Sequence, residues 1–357
     1  MFEGENAISF SASQNKVLYF GKNIFVNKFI NRDCCFVCGD SPKSKEFNNE
    51  HVIPDWLLRK HKLHSSSITL PNGTKLPYGM YTIPCCKECN SELGRVVETP
   101  ISQLLSRPYS EIINELRYDE TLIHDLFHWL CLVYIKTHLK DNALLLNRDK
   151  RQKSGSIGDS YDWEEMHHIH CMARRHFTNP IIQPGIYGTV FILPALILEQ
   201  DKSFDYADHT ASKTVMLQSG EFCIIAVLND SCAGQSIYGD HFKRISSAVT
   251  PFQIRNIMAH LNFINLNLTE RPSYFSGFTQ KGEYTIGAVV PEYFNLQQGE
   301  NRVASFGEFL HFYVDNIMGD IPNRETILDE IRAGKRNYLF NESGEFIDHS
   351  ESVKARD

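Results

Sequence analysis

Apolar and polar positions recur with different periods along this chain, and the changes of period divide it. In residues 1–30 the pattern alternates around Val17-Leu18-Tyr19-Phe20 and Ile24-Phe25-Val26, which predicts a strand pair. Asp55, directly after Pro54, opens a short helix that turns Trp56 and Leu57 inward. Ile68 to Ile83 reads as a hairpin with Pro71-Asn72-Gly73 at its tip, a strong turn signal. A helix is expected from near Lys87 to Leu105, ending before Pro108. From Glu111 to about Arg175 the period becomes helical throughout. It is clearest where Leu122, Leu126, Trp129, Leu130, Val133 and Ile135 recur at helical spacing.

Beyond Pro180 the texture changes to strands: 188–192, 214–217, 222–227 and 284–289, with helices at 251–261 and 306–318. Ser219-Gly220 is a turn between two of them. The polar tail after Ser343 is expected to fray. No internal repeat, low-complexity tract or phosphate-binding glycine loop interrupts this part. The organisation read from these shifts is N-terminal strands at 1–30, a small domain at 31–110, a helical connecting region at 111–180 and an α+β accessory domain at 181–357.

At 357 residues the chain exceeds one average domain. Its 42% hydrophobic and 22% charged residues are those of an ordinary globular protein. The net charge of -7 is unlike that of a protein that coats nucleic acid. Its distribution says more: residues 1–110 carry 13 Lys/Arg against 10 Asp/Glu, +3, and residues 111–357 carry 23 against 33, -10. A mildly basic head on an acidic body suits a head that touches phosphates.

The head also holds the chemistry. Cys35-x-x-Cys38 and Cys86-x-x-Cys89 enclose Glu50-His51, and Asn90 follows the last cysteine. Two such pairs fit one tetrahedral Zn²⁺, and a closed four-sulfur site is structural. Cys34 and Cys85 double two of the ligands; the two-residue spacing favours Cys35 and Cys86. Glu50 and Asn90 are hard oxygen donors suited to Mg²⁺ or Mn²⁺, and a neutral His51 is a fitting general base at pH 7. Adjacent strand residues face opposite sides, so Glu50 and His51 share a site only if the strand bends there.

On these residues, the Val52-Ile53-Pro54 after them and the Trp56-Leu57-Leu58 run, the stretch from about 31 to 106 resembles the HNH endonucleases. The resemblance implies a ββα-metal domain braced by zinc, with His51 as base and Glu50 and Asn90 as ligands of a catalytic metal. The middle asparagine that orients the histidine in that family has no clear counterpart. Asn72 reads as a hairpin tip, and a carbonyl near Thr82 or Ile83 is the alternative.

Other groups read more plainly. Glu98, two turns beyond Asn90, is expected to be a solvated helix acid rather than a metal neighbour. Lys87 and Arg95 are phosphate contacts or ordinary surface charge. His124 and His128 lie i, i+4 with no third ligand, so a packed helix is expected. His167, His168, His170 and His176, with Arg174 and Arg175, read as a helix face of surface histidines. The polar loop 147–160 carries Arg148, Lys150, Arg151 and Lys153. Cys131, Cys171, Cys223 and Cys232 read as buried thiols of a reducing, cytoplasmic protein. No signal peptide or membrane segment is expected. The function read from all this is a metal-dependent endonuclease acting on DNA, open to gating by a protein or small ligand at the C-terminal domain, as in an anti-phage effector, and to oligomerisation. The alternative is a non-catalytic zinc-dependent module that binds nucleic acid or protein.

Overall fold

The computed structural model describes residues 4–11, 15–30, 34–147, 149, 151, 154–198 and 203–350. It is a mixed α+β protein in two compact units. One comprises Met1–Ile186 with Tyr274–Ala288, the other Tyr187–Ser273 with Val289–Asp357.

The first unit opens with an antiparallel pair, β1 (Ile8–Ser11) and β2 (Lys16–Phe20). Residues 22–29 form helical turns, α1 (Lys22–Ile24) and a π-turn over Phe25–Phe29, not the second strand read from Ile24-Phe25-Val26. Phe25 and Phe29 are four apart and both buried, and that helical spacing outweighs the β-branched Ile24 and Val26.

The strand β3 (Phe47–His51) pairs antiparallel with β6 (Thr82–Cys86), Phe47 opposite Cys86 and His51 opposite Thr82, with no shift of register. Between them lie α2 (Asp55–Lys60) and the hairpin β4 (Ser67–Thr69) and β5 (Lys75–Pro77), with Pro71-Asn72-Gly73 at the tip. Helix α3 (Lys87–Leu93) follows β6 directly, passes through a π-turn at Gly94–Glu98 and continues as α4 (Thr99–Leu105).

After α5 (Tyr109–Tyr118) comes α6 (Glu120–Asp141), buried almost all round from Leu126 onward. A helix apolar on every side belongs in the middle of a domain, and α6 is the post against which the head is built. Helix α7 (His167–Ala173), the short α8 (Arg175–Thr178) and β7 (Ile181–Ile182) complete this stretch. Of the basic loop, Arg148, Lys150 and Lys153 lie outside the described residues; Arg151 pairs with Asp149 at 2.8 Å.

In the second unit β8 (Val190–Pro194), β9 (Phe204–His209), β10 (Thr214–Ser219) and β11 (Phe222–Val227) form an antiparallel sheet in the order β8-β11-β10-β9. Helices α9 (Ala233–Phe242) and α10 (Pro251–Leu266) follow. The chain then returns to the first unit as β12 (Ser273–Phe278) and β13 (Tyr284–Val289), and β13 pairs in parallel with β7. It ends in the second unit with α11 (Phe306–Ile317) and α12 (Arg324–Arg332). Met216, Ile225, Ile257, Leu310 and Ile331 share that unit's core. Cys131, Cys171 and Cys223 are buried as expected, but Cys232, at the start of α9, is exposed. No helix among the described residues is long and apolar enough to cross a membrane.

Candidate metal centre and the β3–α3 site

The sulfurs of Cys35, Cys38, Cys86 and Cys89 lie within 4.8 Å of one another, all four residues buried, a group that could hold a metal ion such as zinc. Local geometry brings them together. Gly39, at φ +79°, turns the first knuckle so that its amide reaches the Cys35 carbonyl at 2.9 Å. A Cβ on Gly39 would stand 2.5 Å from the Phe20 ring, so both conformation and space call for glycine. Cys86 caps α3, its sulfur accepting from the Cys89 amide at 3.4 Å.

Cys85 lies beside the quartet, its sulfur 3.7 Å from that of Cys35, and Cys34 turns away to the Lys28 carbonyl. Hydrogen bonds from Cys38, Cys85 and Cys89 push Cys35 strongly towards thiolate, and their bonds to Cys35 push those three thiols up. A dication would let all four ligands ionise. The donor set fits zinc.

The second set of side chains sits around the end of β3. Asn90, on the first turns of α3, donates from Nδ2 to Asn48 Oδ1 at 2.8 Å; its own Oδ1 accepts from no described residue. Asn48 and Glu50 lie two apart on β3 and so share a face. Glu50 is buried, and its Oε1 receives the ammonium of Lys136 at 2.6 Å; Oε2 accepts from no described residue. Lys136 also donates to the His51 carbonyl at 2.8 Å and to Glu98 Oε1 at 3.4 Å. Glu98 is therefore no solvated acid: its side chain is 18% exposed and ion-paired. The π-turn at Gly94–Glu98 adds a residue to the helical repeat at this point, and Glu98 is the turn's last residue. Burial pushes the Glu98 carboxyl up to about 7, with Lys136 opposing and Glu50 reinforcing the rise. Burial disfavours the Lys136 ammonium, but Glu50 and Glu98 outweigh it and raise its affinity for the proton.

His51 closes β3. The regular pairing through His51 shows no bulge, so strand alternation sets its ring on the face opposite Glu50. There it meets His64 edge-on, ring centroids 6.3 Å apart. His64 in turn contacts Asp55 Oδ1 at 2.8 Å. Burial would raise the Asp55 carboxyl, but hydrogen bonds from His64 and Arg59 and the charge of Arg59 hold it below its usual range. No carbonyl at Thr82 or Ile83 hydrogen-bonds the His51 ring among the described residues. Asn72 is a turn residue, accepting from the Thr74 amide and donating to the Leu145 carbonyl.

The outlying groups sort as follows. Lys87 pairs with Glu46 at 3.2 Å, while Arg95 is exposed. His128 is buried beside His176, Nε2 to Nδ1 3.4 Å, and no third ligand joins them among the described residues. The histidines of α7 are not on the surface. His167, His168 and His170 are buried; His167 reaches the Phe20 carbonyl at 2.6 Å and His170 the Phe36 carbonyl at 2.9 Å. They fasten α7 to the N-terminal strand and the first knuckle.

No protein-family model, no curated protein and no solved structure matches this chain.

Proposed function

We propose that the first unit is a metal-dependent phosphodiesterase acting on DNA, with the HNH-type division of labour that its sequence resembles. What supports the reading is one juxtaposition. Glu50 and Asn90, from a strand and from the helix that follows its partner strand, lie on one face with an oxygen each that has no donor among the described residues, and His51 follows Glu50 at the end of the strand. Glu50 and Asn90 would hold Mg²⁺ or Mn²⁺, and that cation supplies positive charge to the phosphate as negative charge builds there. His51 accepts the proton of the attacking water, which requires its ring to reach the metal face from the end of β3. The four-cysteine centre fastens β6 and α3 to the knuckle before β3, so these oxygens stay together.

A second reading, a zinc-braced binding module without catalysis, is favoured by two observations. The Glu50 carboxylate is already paired with Lys136, and strand alternation turns His51 away from it. Plasmid cleavage with Mg²⁺, with Mn²⁺ and with EDTA separates the two. Metal-dependent nicking or cutting that His51→Ala abolishes is the expected result, and no cleavage by zinc-loaded protein with either cation leaves the binding module.

A further inference from the structure

Three oxygens converge on one buried ammonium. Lys136 Nζ stands 2.6 Å from Glu50 Oε1, 2.8 Å from the His51 carbonyl and 3.4 Å from Glu98 Oε1. The three come from the next-to-last residue of β3, its last residue and the π-turn after α3; the lysine comes from α6, and its side chain is 1% exposed. Nothing in the helix asks for a cation there. Val133, Tyr134, Ile135 and Leu139 around it are buried and apolar, and a leucine would continue the pattern.

The carboxylates ask for it. Glu50 and Glu98 without a counter-charge would be two acids in a poorly hydrated place, which is costly. Oxygen donors of mixed origin closing on one point are also what a hard divalent cation takes. We infer that Lys136 is a built-in cation of the site, filling the place between Glu50 and Glu98 that a second divalent ion would need. Its bond to Oε1 leaves Glu50 a single oxygen, Oε2, for an exchangeable metal. The site then works with one exchangeable ion and one fixed ammonium. This deepens the proposed nuclease reading and rests on it only for the role of the exchangeable ion.

The test uses the full chain loaded with zinc. Wild type, Lys136→Ala and Lys136→Ala/Glu98→Gln are titrated with Mn²⁺, bound ion is counted by electron paramagnetic resonance, and melting is followed in parallel. Lys136→Ala is expected to bind one Mn²⁺ more than wild type and to gain melting temperature with Mn²⁺ more steeply. The double variant, short of one carboxylate, should lose the additional ion. Retained zinc shows that the knuckle is intact. A zinc-retaining Lys136→Ala protein that binds no more Mn²⁺ than wild type overturns the inference. So does extra binding that survives Glu98→Gln. If Lys136→Ala is unfolded without divalent ion, recovery of the melt on adding Mn²⁺ supports it and absence of recovery overturns it. The nuclease reading fails separately, if wild type neither binds Mn²⁺ nor cleaves; an additional ion in Lys136→Ala would still assign the lysine's place.

Discussion

The guanidinium of Arg174 donates from Nε to the carbonyl of Val37 at 2.5 Å, inside the knuckle between Cys35 and Cys38. Its terminal nitrogens donate to the Leu18 and Val17 carbonyls at 3.2 and 2.7 Å, and the group lies 4.6 Å from the Phe20 ring centroid. The acceptors of its hydrogen bonds are all carbonyls, so this fully buried arginine needs a negative neighbour, and four metal-bound thiolates would carry two charges more than zinc cancels. Arg174→Met should therefore release zinc to a chelator faster than wild type. It should also lower stability by about 3 kcal/mol or more, the usual loss when a buried ionic partner is removed. Arg174→Lys, which keeps the charge and loses the fork, should fall between them. Equal zinc release from all three proteins would detach Arg174 from the cluster.

The doubled cysteines give a sharper test of the centre itself. Purified protein should carry about one zinc per chain. Cys86→Ser should lose it, while Cys85→Ser and Cys34→Ser should keep it, because their sulfurs lie outside the quartet. Metal analysis of the three variants reads the outcome; zinc lost from Cys85→Ser and kept by Cys86→Ser would reassign the ligand.

For catalysis, His51→Ala should lower plasmid cleavage by roughly 10²–10⁴-fold, the usual worth of a positioned base, with zinc content unchanged. Asn90→Ala should raise the Mg²⁺ concentration needed for half-maximal cleavage and leave zinc in place. Zinc lost from Asn90→Ala would mean that structural and catalytic ligands are interchanged.

Buried neutral histidines predict how the fold responds to acid. His260 of α10 is stacked on Tyr238 and on Phe306, 4.7 and 4.1 Å between centroids, with the His241 ring 6.2 Å away and Arg244 against His241 in turn. Burial, helped by His241, lowers it from the model-peptide value of 6.5 to about 3. Burial likewise lowers His209 and His176 to about 4. A group depressed in the folded state contributes stability above its unfolded pKa and loses it as pH falls. Between 6.5 and 3 the unfolded chain takes up protons that His260 refuses. Going from pH 7 to pH 5 should cost about 2 kcal/mol for each such histidine. His260→Phe keeps the stack and drops the ionisable ring, so it should flatten the fall of melting temperature below pH 6.5. An unchanged pH slope would show that His260 is not neutral in the fold.

The head defined by charge, residues 1–110, is smaller than the unit that holds it. Cutting there removes Lys136 from Glu50 and Glu98, and Arg174 and His170 from the knuckle. That fragment should be rapidly degraded by trypsin even with zinc supplied. Full-length protein should persist under the same conditions. A protease-resistant fragment would mean that α6 and α7 are dispensable.

The difference between sequence and structure has a physical cause at each site. The four cysteines are legible because metal chelation demands particular residue types at short spacings, and the strands at 222–227 and 284–289 because apolar runs mark them. Glu98 is half-buried where its polarity alone points to solvent, because a π-turn breaks the helical repeat from Asn90. The α7 histidines are inside although imidazoles are usually surface groups; the partners of His167 and His170 are backbone carbonyls some 130 or more residues earlier, which leave no mark in local pattern. Lys136 did leave one: a single charge in the run Leu132-Val133-Tyr134-Ile135-Lys136 is a buried cation awaiting an acid.

The hairpin β12–β13 gives the order of manufacture a meaning. Its strand β13 pairs with β7 in the first unit, yet it is encoded after the sheet and first helices of the second. A ribosome making roughly 5–20 residues each second needs several seconds to pass from β7 to β13. Throughout that interval the first unit lacks its final strands, whatever metal it has met. A first unit with all its strands exists only on a chain that has already supplied the sheet and first helices of the second, while α11 and α12 are still to come: the two units are finished in alternation, neither wholly before the other.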